Sequence, residues 1–298
     1  MHMKKGIIGI TFMVLLLLAS GCDRGLQANY EEYMSDMETI HELDEEFNDK
    51  INQIDLEALV EETSARDPEI DLEKLSSLND MLSEEVEPLI EQMNMKMEQV
   101  EVAEEDLRES HETYKESLEL KGKFVDELNG YVETYYKSAR SNETLIELSQ
   151  AFMENQEERD QVIEDIQKGE GETETDELIE QINSNSEELD GKAEQLKQNE
   201  PRDDRTTYIN EVILPLVDRH IRSLNQVNLE TEIAMQVRSL TLEMYYGFEK
   251  YYQERTRTME YNEQLQQLQL QNILPYKSTY NQLDDQYWKG LKEIEDGL

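Results

Sequence analysis

VEPLIEQMNMKMEQVEVAEEDLRESHETYKESLELKGKFVDELNGYVETY, residues 86–135, is the stretch from which the fold is read. A four-three alternation runs through all of it: Val86, Ile90, Met93, Met97, Val100, Glu104, Leu107, His111, Tyr114, Leu118, Lys121, Val125, Leu128, Val132 and Tyr135. Twelve of these fifteen stations are apolar, so a seven-residue repeat holds one stripe toward a partner helix. As one helix the stretch would span ~75 Å. The polar stations Glu104, His111 and Lys121 weaken the seam and serve to fix its register.

The rest of the chain repeats this pattern. An earlier stripe runs Tyr33, Met37, Ile40, Asp44, Phe47, Ile51 and Ile54. Later stripes run Ile213, Val217, Ile221, Leu224, then Ile233, Val237, Leu240, Met244, Phe248, Tyr251, and finally Tyr276, Tyr280, Leu283, Tyr287. Gly is only 12 and Pro only 5 of 298 residues, which leaves few helix breakers. Pro68 marks a break before a new helix near Glu69. "ILPL" (213–216), "ILPY" (273–276) and, more faintly, Val86-Glu87-Pro88-Leu89 suggest that Pro marks a helix entry or bend. Residues 169–205 differ, with acidic, polar edges around a weak stripe of Leu178, Ile182, Leu189 and Leu196; they predict a short, loosely held helix between two loops. No lone helix buries its own stripe, so the expected fold is all-α: an elongated antiparallel bundle of long, coiled-coil-like helices.

The chain opens with an export signal. Lys4 and Lys5 precede an apolar run from Ile7 to Leu18, and Ala19-Ser20-Gly21-Cys22 follows as a lipobox. Cys22 is the only cysteine, so no intramolecular disulfide forms. Its thiol is expected to carry diacylglycerol, with further N-acylation after cleavage, and two or more acyl chains such as palmitate anchor stably. No other cofactor and no metal site is expected. The predicted location is the outer face of the bacterial cytoplasmic membrane, and Asp23 agrees with retention there. The predicted organisation is a signal peptide at 1–21, a long-helix region at 22–168, the acidic segment at 169–205 and a C-terminal helical region at 206–298.

Charge narrows the partners. Twenty-eight basic residues stand against 70 acidic ones, a net of −42, and loss of Lys4 and Lys5 deepens it. No basic face is available for nucleic acid, and anionic lipid or teichoic acid is disfavoured. The surface is either a solvated, salt-tolerant one or one that attracts cations or a basic partner. Oligomeric state is open.

Catalytic signatures are missing. "HELDEEF" at His41 lacks the second histidine of a zinc helix, and nucleophile-elbow, phosphate-loop, dinucleotide and calcium-loop motifs are absent. His111 on the seam reads as a semi-buried polar interruption. The expectation is therefore no enzyme.

One local feature stands out: "LEMYYGFEKYYQER", residues 242–255. Helical spacing stacks Tyr245, Phe248 and Tyr252, and also Phe248 and Tyr251; Tyr246 points elsewhere, and Gly247 admits another backbone. Tyr131, Tyr135 and Tyr136 are placed to meet them across an antiparallel pair. The cluster is either a tyrosine-rich core layer or a contact platform.

Glu243-Met244-Tyr245-Tyr246, in a helical chain with a lipobox, resembles the EMYY-motif lipoproteins of staphylococci and their relatives. That resemblance covers the whole chain and implies a surface lipoprotein. The chain is also broadly similar to Bacillus lipoproteins described as cell-wall binding, although those are Lys-rich and this chain is not. Two roles follow as expectations. One is a lipid-anchored spacer or scaffold contacting another surface protein, with Glu243, Met244, Tyr245, Tyr246, Phe248, Tyr251 and Tyr252 as candidate contact residues. The other is a ligand-binding lipoprotein that takes a wall fragment, peptide or cation in a tyrosine-lined cleft, which needs Tyr245, Tyr246 and Tyr251 exposed.

Overall fold

The computed structural model describes residues 6–64, 71–102, 104–166, 172–198 and 202–298; the side chain of Cys22, and Lys4, Lys5 and Pro68, lie outside what is described. Among the described residues ten α-helices follow one another: α1 (Gly6–Gln53), α2 (Leu56–Ser64), α3 (Leu72–Met81), α4 (Glu87–Met97), α5 (Glu105–Ile166), α6 (Glu172–Gln198), α7 (Arg202–Tyr208), α8 (Leu214–Asn225), α9 (Glu232–Gln267) and α10 (Leu270–Gly297). Among the described residues there is no strand. The all-α bundle expected from the periodicity is the fold.

The chain forms two compact units, Met1–Glu133 with Leu268–Leu298, and Thr134–Gln267. Both boundaries of the acidic segment, 169 and 205, fall inside the second unit.

In the first unit α1, α4, the N-terminal half of α5 and α10 pack as neighbours of alternating direction. Asn29 donates to Glu104 at 2.6 Å and Lys121 to Asp44 at 2.6 Å, so α1 and α5 run the same way. Asn129 donates to Glu87 at 2.8 Å and Tyr276 to Glu127 at 3.3 Å, so α4 and α10 run against α5. The stripe of α1 is fully inside: Tyr33, Met37, Ile40, Asp44, Phe47, Ile51 and Ile54 are all buried. In the second unit the C-terminal half of α5 opposes α9, through Ser141 and Thr258 (2.6 Å), and α6 opposes α8, through Arg219 and Glu188 (2.7 Å).

Two expectations need correction. The stretch 86–135 is not one helix. It ends at Met97, turns at Glu98–Gln99, and restarts at Glu105. β-Branched Val100 and Val102 weaken helix there, and Glu105 and Asp106 favour a new N-terminus. The reversal lets the stripe pack on its own continuation: a Cβ at Gly122 would lie 3.5 Å from Ile90. Residues 169–205 hold no short, loose helix either. α6 is 27 residues long, and Leu178, Ile182, Leu189 and Leu196 are buried in the second core with Ile209, Val217 and Tyr245. Four apolar residues on one face suffice when the opposing helices supply the rest of the core.

The prolines pair differently from the sequence matches. Pro88 and Pro215 each follow a π-helical turn, Leu82–Val86 and Ile209–Ile213, while Pro275 lies inside α10. In each turn the bond reaches back five residues, from the Glu87 N–H to the Leu82 carbonyl and from the Leu214 N–H to the Ile209 carbonyl. The extra residue relieves the carbonyl that a following proline would otherwise crowd.

Candidate interaction groove

The α9 helix starts where Thr231 Oγ1 accepts the Ala234 N–H, an N-cap that leaves the next turns free to follow their apolar spacing. That spacing separates the EMYY residues by direction. Met244 and Tyr245 point inward and are buried, whereas Glu243 is exposed and Tyr246 is 45% exposed. Tyr252 is buried; Phe248 and Tyr251 are half-buried.

Tyr245 is a core residue. Its ring meets His220 edge-on at 5.7 Å, and its hydroxyl faces the side chains of Asn185 and Ser186 on α6. Burial pushes that phenol up from its ordinary value. His220 Nε2 lies 3.1 Å from Glu188, yet burial holds the imidazole below its usual pKa. The ring that α5 presents to the cluster is Phe152, 4.5 Å from Phe248, rather than the expected tyrosines at 131, 135 and 136. The antiparallel pairing places residue 152, not 135, at the level of 248. Arg159 Nη1 lies 3.6 Å from the Met244 sulfur, and Nη2 of the same guanidinium binds Asp160 at 2.7 Å.

Between α5 and α9 runs an open groove of about 530 Å³. Leu148, Ala151, Phe152 and Asn155 form one wall; Glu243, Tyr246, Gly247 and Lys250 form the other, with Met244 and Glu249 alongside. Gly247 faces open space, since a Cβ built there meets nothing within 4 Å. The groove thus uses three of the four EMYY side chains, while Tyr245 ties the motif to the core. Of Tyr245, Tyr246 and Tyr251, only Tyr246 lines it.

The first unit carries a polar centre that the sequence reading took for a weak point. Lys121 is 0% exposed and binds Asp44 at 2.6 Å and Asp284 at 2.8 Å. The rings of Phe47, Tyr114 and Tyr280 stand 5.5–5.8 Å from its ammonium. Ser117 donates to Asp284 at 2.5 Å. Burial raises the Asp284 carboxyl from its ordinary value, against the pull of Lys121. Above this centre His41 Nε2 lies 2.8 Å from the Tyr287 hydroxyl, with the half-exposed Trp288 indole at 4.6 Å. Burial first, then Lys121, lowers His41 to about 4. His111, also a seam station, is buried edge-on to Tyr33 at 5.9 Å. The sequence reading missed this centre: Asp44 and Lys121 are both stripe stations, and their opposite charges were the available signal, while the level at which they meet and the third member, Asp284, are set by packing.

The sequence Ala19-Ser20-Gly21-Cys22 ahead of two helical units fits the class of helical lipoproteins. The chain belongs to the family of EMYY-motif containing lipoproteins, whose model matches residues 3–295. Membership implies association with a membrane through a lipid anchor. Among the described residues, no helix is long and apolar enough to cross a membrane. No curated protein and no solved structure matches the chain.

Proposed function

We propose that the protein is a non-enzymatic scaffold on the outer face of the cytoplasmic membrane, held by acyl chains on Cys22, and that it contacts a second surface protein through the α5–α9 groove. One observation carries the reading: Tyr246 stands 45% exposed beside an open, mainly apolar groove, although its neighbour Tyr245 is spent on the core. A rigid aromatic ring gives contact area at low entropic cost. The alternative, a ligand cleft lined by several tyrosines, has less support because two of its three required rings lie outside the groove.

The test is a photo-crosslinking amino acid placed at position 246 in the lipidated protein in intact cells. A discrete adduct, absent when the same group replaces exposed Ser149, is expected. No adduct at 246, with the protein folded and membrane-bound, would refute the contact. Cys22→Ser should abolish incorporation of a labelled fatty acid into the chain; undiminished labelling would refute the anchor.

A further inference from the structure

The walls of the α5–α9 groove share one spacing. Residues 148, 151, 152 and 155 on α5, and 243, 246, 247 and 250 on α9, each fall at i, i+3, i+4 and i+7. Two ridges with that spacing form a seat of the kind a third α-helix fills by ridges-into-grooves packing. At position 247 the seat has no side chain, so an incoming apolar residue can approach the α9 backbone between Phe152 and Tyr246.

Charge selects the kind of helix. Between Arg140 and Arg159, α5 carries five glutamates and no Lys or Arg. Glu143 of these pairs with Arg140 at 3.5 Å, while Glu147, Glu154, Glu157 and Glu158 are exposed. The α9 wall adds Glu243 and Glu249 against the single Lys250. A second copy of this chain, at a net −42, would meet the seat with like charge.

We propose that the occupant is a basic amphipathic helix of another protein, with an apolar residue seated over Gly247 and Lys or Arg facing the glutamates of α5 and α9. This rests on the scaffold reading above and specifies its partner.

The full-length lipidated protein in phosphatidylcholine nanodiscs is titrated at about 150 mM salt, where long-range attraction is screened. The probes are a labelled Leu/Lys amphipathic peptide of about five helical turns, its Leu/Glu counterpart, and a Leu/Lys peptide of scrambled order. Saturable binding of the first alone is expected. Gly247→Leu should weaken it at least about tenfold by filling the seat, and Gly247→Ala should weaken it less. Glu243→Gln with Glu249→Gln should cost about threefold to tenfold. Circular dichroism checks that each variant is folded; Gly247 has open space around it, so neither side chain is excluded from the helix. Equal binding of the Leu/Glu or scrambled peptide, or unchanged affinity in Gly247→Leu, would overturn the proposal. A crosslink at 246 without peptide binding would remove the basic helix and keep the scaffold. Peptide binding without a cellular crosslink would keep the chemistry of the seat and remove its use in the cell.

Discussion

Replacing Lys121 with Met should be among the most damaging single changes in the first unit. The side chain is 0% exposed, and its partners Asp44 and Asp284 keep only 9% and 14% of their side-chain surface. Met fills much of the same space and keeps contact with Phe47, Tyr114 and Tyr280, so the loss is electrostatic. Two carboxylates are left close together with no cation, and breaking a buried pair in this way costs about 3–5 kcal/mol. The two acids then gain stability by sharing a proton, so the deficit should shrink as pH falls from 7 toward 5. The assay is urea unfolding followed by the fluorescence of Trp288, the only tryptophan, which sits in this unit. Two units need not unfold together, so the Trp288 transition is analysed by itself. Lys121→Met combined with Asp44→Asn and Asp284→Asn should recover most of the loss, since the unpaired charge is gone. A penalty under about 1 kcal/mol at pH 7, or one independent of pH, would refute the argument, because it would mean that water reaches and screens the carboxylates.

Three further outcomes are expected. His41, held at about 4 in the folded chain, binds fewer protons folded than unfolded; its stabilisation is full above pH 6.5 and is lost as pH falls toward 4, by about 2 kcal/mol after allowing for partial exposure. Comparison with His41→Asn isolates this from Asp284, whose raised pKa acts in the opposite sense: its contribution is present at low pH and lost as pH rises. Tyr245→Ala should destabilise the second unit by about 3–5 kcal/mol, whereas Tyr246→Ala should stay within about 0.5 kcal/mol, as read by thermal unfolding; equal effects would mean that the inward and outward assignments are wrong. Gly290→Ala would bring a methyl within 2.6 Å of Ser110 Oγ, so Ser110 must rotate away; a loss of about 1 kcal/mol is expected, and Ser110→Ala should rescue it in a double-mutant cycle.

The helical class and most of the core stations are properties of the sequence, because an apolar residue every three or four positions is a local rule that any helix obeys. Tyr33 to Ile54 and Ile213 to Leu224 were legible as core stripes, and they are buried. Where a stripe reverses is not local. The break after Met97 depends on whether the next segment gains more by folding back than by extending, and periodicity alone is blind to that choice. The strength of α6 was hidden for the same reason: its four apolar residues look weak until α8 and α9 complete the core around them. The candidate groove divides the same way. The sequence marked residues 242–255 and sent Tyr246 away from Tyr245 by helical geometry. Only the tertiary structure set Phe152 rather than Tyr135 beside Phe248, and turned Lys121 from an interruption of the seam into the bound centre of Asp44 and Asp284. A charge in a stripe is a cost or a lock depending on what the other helices bring to it, and that is decided by packing.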